Sequence, residues 1–292
     1  MQDFIYKRPE TIDEAIVAMG ADDARALAGG TDLVPQLREG RRRAAHIVDL
    51  KHIPEMTTIT LLPDGSVSIG AAVSATAIAR HAAIAAGYPA VAESAQLIGG
   101  VQVQNRASLG GNICNAAPSA DGVPALICHG AQALIAGPEG TREIPVEAIF
   151  AGPGRTTLAP GELMVAIRLP PVAPRTAGAY LRFTPRREMD IAIAGAAAWL
   201  RLGADGSIAE ARVALASVAP TPIRAPTAER KLLGERPDAA LFEVTGRCAA
   251  QDARPISDTR GTAGYRTTLV AVLVARALAD CGRRLGLEVA VA

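Results

Sequence analysis

The sequence predicts an α+β fold in two units, residues 1–174 and residues 175–292, on three observations. The first 54 residues read as a small β-α-β-turn-α-β unit, and the pattern changes to strands after Ile53-Pro54. Pro170-Pro171-Val172-Ala173-Pro174 is the best linker in the chain. Beyond it, a strand–turn–strand rhythm with three members gives way to helical periodicity, as in a three-stranded antiparallel sheet packed on helices. A chain of 292 residues is long enough for two such units.

Each element has a local reason. Phe4-Ile5-Tyr6 opens as a short strand. Thr11-Ile12-Asp13-Glu14 is a capping box, in which the Thr hydroxyl accepts from the N–H three residues on and Glu14 reaches back. Ile12, Ala15, Ile16 and Met19 then recur at helical spacing, so this helix buries one face. Residues 25–28 form a strand that runs into Gly29-Gly30, residues 31–38 begin a helix, and residues 45–50 form a buried strand. These complete a first lobe of about residues 1–54. In a second lobe, residues 55–174, strands over 57–61 and 67–69 flank the turn Pro63-Asp64-Gly65. A helix over 75–86 follows, with Ser74 or Thr76 as its cap, and another over 89–98 ends at Gly99-Gly100. A polar loop with Gln102, Gln104, Asn105 and Arg106 leads to Ser108-Leu109-Gly110-Gly111-Asn112. Asp121-Gly122-Val123-Pro124 reads as the cap and first turn of a short apolar helix through Gly130. Strands over 131–135 and 163–169 are separated by a loop rich in Gly and Pro. In the second unit, strands over 179–183, 192–201 and 210–217 precede helices over 227–233, 241–250 and 269–285.

Charge and composition exclude several function classes. Lys+Arg is 30 against Asp+Glu 29, so no net field attracts nucleic acid or an anionic membrane. Aromatic residues are 3% of the chain, too few to build stacking platforms for single strands. Cys114, Cys128, Cys248 and Cys281 are scattered, without the close spacing of a zinc site or a Cys-held cluster, and read as reduced thiols. His46, His52, His81 and His129 form no ligand pattern either, so no metal is expected in this chain. Residues 1–19 carry Asp3, Lys7, Arg8, Asp13 and Glu14 and so lack a secretory h-region. The longest apolar stretch, 269–279, is too short to span a bilayer and holds Arg276. A cytoplasmic protein without a transmembrane segment is the expectation.

The informative feature is a pair of glycine turns, Gly29-Gly30-Thr31-Asp32 and Ser108-Leu109-Gly110-Gly111-Asn112. Tandem glycines permit positive φ and let a ligand approach without meeting a Cβ. Consecutive free N–H groups form a concavity that accepts anionic oxygens. Hydrogen bonds to a charged group contribute roughly 1.5–3 kcal/mol each, so several can hold a diphosphate without Lys or Arg. The residues alone leave two readings open, plain tight turns or a phosphate-binding α/β protein. The pattern is neither G-x-G-x-x-G nor a Walker loop.

Ala28-Gly-Gly-Thr-Asp-Leu33, together with Ala107-Ser-Leu-Gly-Gly-Asn-Ile-Cys-Asn-Ala-Ala-Pro-Ser-Ala-Asp121, resembles the two FAD-binding signatures of the molybdenum hydroxylases. The resemblance is to their medium, flavin-carrying subunits, of carbon monoxide dehydrogenase and xanthine dehydrogenase type. It continues through Glu162-Leu-Met-Val-Ala-Ile-Arg-Leu-Pro170, Arg186-Arg-Glu-Met-Asp-Ile-Ala192 and Arg260-Gly-Thr-Ala-Gly-Tyr-Arg266, in the family's order. It implies a two-lobed FAD-binding domain, of the PCMH or vanillyl-alcohol-oxidase-like kind, followed by the C-terminal α+β domain of flavoprotein subunits.

The resemblance also implies site residues. Ala28, Gly29, Gly30, Thr31, Asp32 and Leu33, with Ser108, Leu109, Gly110, Gly111 and Asn112, would wrap the FAD diphosphate through main-chain N–H groups. Asp121 stands where the family has an acid that bonds the cofactor, and Ile98 and Met164 where relatives line the flavin or adenine pocket. Arg182 stands where some relatives have a lysine near the flavin, and the loop with Arg187 and Asp190 lies close to the isoalloxazine. Cations there would tune its potential. Met189 occupies a place where xanthine dehydrogenase-like proteins carry an acid, and the Cys-rich insertion of some relatives is missing. Cys114 reads as a packing residue, and the loop over 101–106 as the border with a partner.

By this resemblance the chain is an electron-transfer subunit with no catalytic acid, base or nucleophile of its own. Its partners would be a small subunit with two 2Fe–2S clusters and a large molybdopterin subunit, as a dimer of heterotrimers. A stand-alone FAD-dependent oxidoreductase, a flavin-free scaffold subunit and an FAD-inserting chaperone are the alternatives.

Overall fold

The computed structural model describes residues 3–289 and residue 291; the outer limits at 1 and 292 lie outside the described residues. The first lobe contains β1 (Ile5–Lys7), α1 (Ile12–Met19), β2 (Ala24–Leu27), α2 (Leu33–Arg38) and β3 (His46–Asp49). Its strands form a parallel sheet in the order β1-β3-β2, so β2 is the edge that delivers Gly29-Gly30. The capping box forms: Thr11 Oγ1 accepts from Glu14 N–H at 3.2 Å. Glu14 reaches back to the N–H of Glu10 at 2.8 Å, one residue beyond the cap.

The second lobe begins with α3 (Pro54–Thr57), β4 (Ile59–Leu61) and β5 (Val67–Gly70). Then come α4 (Ala75–Arg80), α5 (Ala82–Gly87), α6 (Pro89–Gln96), α7 (Val101–Gln104), α8 (Leu109–Asn115) and α9 (Gly122–Cys128). It closes with β6 (Gln132–Gly137), β7 (Gly140–Pro145), β8 (Phe150–Gly152), β9 (Arg155–Thr156) and β10 (Leu163–Leu169). An antiparallel sheet in the order β4-β5-β10-β6-β7 backs the helices.

Several expectations are corrected here. The single helix over 75–86 is two, because His81 is extended (φ −73°, ψ 121°). Ser74 caps the first, its hydroxyl accepting from Ala77 N–H at 3.2 Å. The Gly- and Pro-rich loop before β10 contains β7 and the β8–β9 hairpin, and the polar loop after Gly100 contains α7.

The C-terminal unit contains β11 (Thr176–Phe183), β12 (Ala194–Leu202), β13 (Ile208–Ala216), β14 (Ile223–Arg224), α10 (Pro226–Leu232), α11 (Ala239–Asp252) and α12 (Ala263–Arg284). Its antiparallel sheet has four strands rather than three, because the two-residue β14 pairs with β13. Helices α11 and α12 bury Phe242, Val270, Val274 and Leu278 with Leu200, Val213 and Leu215 of the sheet. At about 25 cal/mol per Å² of apolar area, such burial is what holds helices of modest propensity in place.

The two units meet along α9, whose residues are all buried. Cys128 and Arg212 exchange backbone contacts there, Arg212 Nη1 donating to Cys128 O at 3.3 Å, while its guanidinium lies 5.1 Å over the Trp199 ring. Arg284 ties Glu93 of the second lobe to the carbonyl of Gly178. None of the helices among the described residues is long and apolar enough to cross a membrane.

Candidate functional site

A cleft of about 570 Å³ runs between the two lobes and reaches the C-terminal unit, within the usual size of a cofactor pocket. The strand β2 and the start of α2 form one wall, and the start of α8 forms the other. Ala28, Gly29, Gly30, Thr31, Asp32, Leu33, Ile98, Ser108, Gly110, Gly111, Asn112, Asp121, Met164 and Asp190 all line it. Sequence positions separated by more than 150 residues are thereby brought to one cavity.

Three expected residues do not line the cleft. Leu109 is fully buried in the core behind α8. Arg182 sits behind Asp121, with a side chain only 5% exposed, and Arg187 projects from an exposed loop.

The glycines work differently from simple tight turns. Gly30 alone of the four has a positive φ, +75°. Gly29 is small because the chain folds onto another: a Cβ there would stand 1.8 Å from the carbonyl oxygen of Arg106. Gly110 packs the same way on Ala71, whose carbonyl oxygen would lie 2.3 Å from an added Cβ. Gly29 thus packs on the chain just before the second glycine segment, and Gly110 packs on the loop after β5, so both are fixed by neighbouring backbone. The second segment is the first turn of α8, with Ser108 as N-cap accepting from Gly111 N–H at 3.0 Å.

The donor set suits a diphosphate. Among the described residues, the N–H groups of residues 29–33 and of Gly110 have no acceptor in the chain. They belong to the loop at residues 29–31, to the first positions of α2 at Asp32 and Leu33, and to the first turn of α8 at Gly110, and all of these residues line the cleft. Gly111 faces open space apart from Ser108 Oγ at 3.1 Å, so a side chain there would occupy the cradle. Apolar residues complete the cavity: Ile98, Leu158, Leu163, Met164, Met189 and Ile191 suit a flat ring system. The residues present thus fit FAD, with donors for its phosphates and apolar surface for its rings.

The titratable groups around the cleft are mostly committed to structural bonds. Asp121, 7% exposed, accepts from Tyr180 Oη at 2.7 Å and from Arg182, so two strand residues of the C-terminal unit hold it. Burial raises its pKa above the ordinary carboxylate value, against the pull of Arg182 and Tyr180. Its side chain does not cap α9 as the sequence suggested. Glu162 is forked by Arg142, at 2.7 Å through each of two nitrogens, which holds its pKa down. Cys114 has a thiol pushed up to about 12 by burial, in keeping with a packing role. Asp32 is the exception: it makes no side-chain cap, and burial raises its carboxyl against the attraction of Arg41 and Arg42.

A strap from the C-terminal unit closes one end. Met189, at φ +54°, donates its N–H to Gly99 O at 3.1 Å, and Arg186 Nη2 donates to Met189 O at 2.9 Å. Asp190 accepts from the N–H groups of Arg186 and Ile191; these bonds and the Arg186 charge outweigh desolvation and hold its pKa down.

Gln36 and Asn115 were not foreseen. Gln36 Nε2 donates to Asn115 Oδ1 at 3.1 Å, a direct bond between the lobes in the cleft wall. The available signal was helical spacing: Gln36 follows Asp32 by four and Asn115 follows Gly111 by four, so each shares its partner's face.

Comparison with known proteins agrees with this geometry. Residues 2–172 match the family described as the FAD binding domain in molybdopterin dehydrogenase, and residues 179–281 match the CO dehydrogenase flavoprotein C-terminal domain. The chain belongs to the FAD-binding medium subunits of the molybdenum hydroxylases. It is 35% identical to a putative xanthine dehydrogenase FAD-binding subunit of Escherichia coli K12, over 94% of each chain. It is 34% identical to the carbon monoxide dehydrogenase medium chain of Hydrogenophaga pseudoflava, covering 94% of this chain and 96% of that one. A solved structure of carbon monoxide dehydrogenase from the same organism, lacking the Mo-pyranopterin moiety of its cofactor, superposes with a TM-score of 0.92. That match has 33% identity and covers 97% of this chain and 98% of the other. The chain is an oxidoreductase flavoprotein subunit with FAD as its cofactor.

Proposed function

We propose that this chain is the electron outlet of a molybdenum hydroxylase, receiving electrons from 2Fe–2S clusters of a small subunit and delivering them to an external acceptor. A large molybdopterin subunit would complete each heterotrimer, two heterotrimers would pair, and the complex would work in the cytoplasm. In this reading residues 1–174 hold the cofactor and residues 175–292 close over it. The observation that carries the proposal is the row of unpaired N–H groups at residues 29–33, facing a cleft whose carboxylates are largely engaged elsewhere.

FAD bound in the cleft supplies a carrier that exchanges electrons singly or in pairs. The chain's own residues bind and orient. The N–H groups of residues 29–33 and Gly110 would meet the diphosphate oxygens, with the hydroxyls of Thr31 and Ser108 and the amide of Asn112 beside them. Ile98 and Met164 would pack on the rings and exclude water. Asp121, braced by Tyr180 and Arg182, would offer its remaining acceptor capacity to the cofactor's polar groups. Asp190 lies in the cleft at the strap, and Arg187 stays on its outer face, where its charge acts only through solvent.

The test is a cofactor and partner inventory on the complex purified gently from its native host. FAD, molybdenum, iron and two partner chains in one sample are expected. FAD with neither metal nor partner would replace the proposal with a self-contained flavoenzyme.

A further inference from the structure

We propose that Lys51 is a positioning residue for the FAD diphosphate, acting from behind the first glycine segment through one peptide bond. Lys51 follows β3, and its side chain, 25% exposed, reaches the first glycine segment from the side of β3. Nζ donates to the carbonyl oxygen of Ala28 at 2.9 Å. That carbonyl belongs to the same peptide group as the N–H of Gly29, and no peptide bond among the described residues is cis. In a trans peptide the N–H points opposite to the C=O. A cation held on the oxygen therefore fixes the plane so that the Gly29 N–H faces the other way, and it polarises that N–H as a donor. Gly29 lines the cleft, and its N–H has no acceptor in the chain.

The ammonium is itself held. Asp49, 3% exposed at the end of β3, pairs with Lys51 Nζ and accepts from the Lys51 N–H at 3.1 Å. The Tyr6 hydroxyl donates to its other oxygen, and His52 Nε2 lies 3.7 Å from that oxygen. The pair is thus a fixed dipole with its positive end on the Ala28 carbonyl. Polarised chains of hydrogen bonds strengthen one another in low-dielectric surroundings.

The inference rests on the FAD-binding reading and is separable from it. The full chain, stripped of flavin, is titrated with FAD and with ADP, which carries the diphosphate but no flavin ring. Lys51→Met should weaken both by roughly tenfold, in line with one charge-assisted hydrogen bond. The visible spectrum of bound FAD at saturation should stay that of the parent, and Lys51→Arg should recover most of the loss. Because Lys51→Met leaves Asp49 without its cation, Asp49→Asn/Lys51→Met is measured beside it and should show the same tenfold loss with the parent's melting temperature in the apo state. Parent-like FAD and ADP affinity in both variants would overturn the role of Lys51 while leaving the cleft assignment intact. Loss of affinity only in step with loss of apo stability would reduce Lys51 to a structural residue. Failure of the parent chain to bind FAD would overturn both readings.

Discussion

Arg182→Met removes one half of a buried ion pair that joins the two units at the cleft. The side chains of Arg182 and Asp121 are 5% and 9% exposed, and methionine keeps much of the volume without the charge. Removing one partner of a buried pair costs about 3–5 kcal/mol. The Tyr180 hydroxyl still donates to Asp121 at 2.7 Å, so the lower end, about 3 kcal/mol, applies. Each kcal/mol lowers Tm by roughly 2–4 °C in a domain of 150–250 residues, so the expected drop is roughly 6–12 °C. Its pH dependence has a definite sign. Asp121 has a raised pKa in the fold, so its folded form holds a proton more tightly than the unfolded chain does. Its contribution is fully present below the ordinary carboxylate pKa of about 3.9 and is lost as pH rises through the raised value. Removing Arg182 raises that value further, so the Tm deficit should be largest near neutral pH and shrink on acidification. Thermal melts of the apo chain between about pH 5 and pH 8 read this directly, and Asp121→Asn/Arg182→Met should recover part of the loss. A variant within about 2 °C of the parent at neutral pH, or a deficit that grows on acidification, would refute the reasoning.

Three further outcomes follow from the same geometry. Gly111→Val places a branched side chain in open cleft space beside Ser108 Oγ, so FAD binding should fall at least roughly 100-fold while the apo melting temperature holds; full FAD occupancy of the variant would remove Gly111 from the site. His129 is held neutral, with its pKa lowered to about 4 by burial and by Arg212. Its contribution to stability should be full above about pH 6.5 and fade as pH falls toward 4, by roughly 3 kcal/mol; His129→Gln should flatten that part of the stability curve, and an unchanged slope would contradict the assignment. Cys114 is half-buried in the cleft lining with its thiol raised to about 12, so it should alkylate slowly at pH 8 because little thiolate is present; rapid labelling there would contradict the raised value.

How much was legible depended on the range of the cause. The α1 capping box, the strand that delivers Gly29-Gly30 and the helix start at Ser108 are local, and their residues announce them. The kink at His81 and the two-residue β14 depend on packing partners elsewhere, so no periodicity marks them. The glycines were visible, but the reason for two of them was not: Gly29 and Gly110 are fixed by backbone lying against them, from Arg106 and Ala71. Asp121 is the clearest case. Its position at a helix start suggested a cap, whereas its partners Tyr180 and Arg182 lie 59 and 61 residues away on another unit. Family resemblance located the acid near the cofactor, and only the fold shows what holds it.

Amide hydrogen exchange on the full chain, with and without FAD, tests the central claim most directly. The N–H groups of residues 29–33 and Gly110 have no acceptor in the chain, so they should exchange fast without cofactor and slow markedly when it binds. Protection centred on peptides spanning 28–33 and 108–112 is the predicted result. Tight FAD binding with no protection in either segment would contradict the account and place the diphosphate elsewhere.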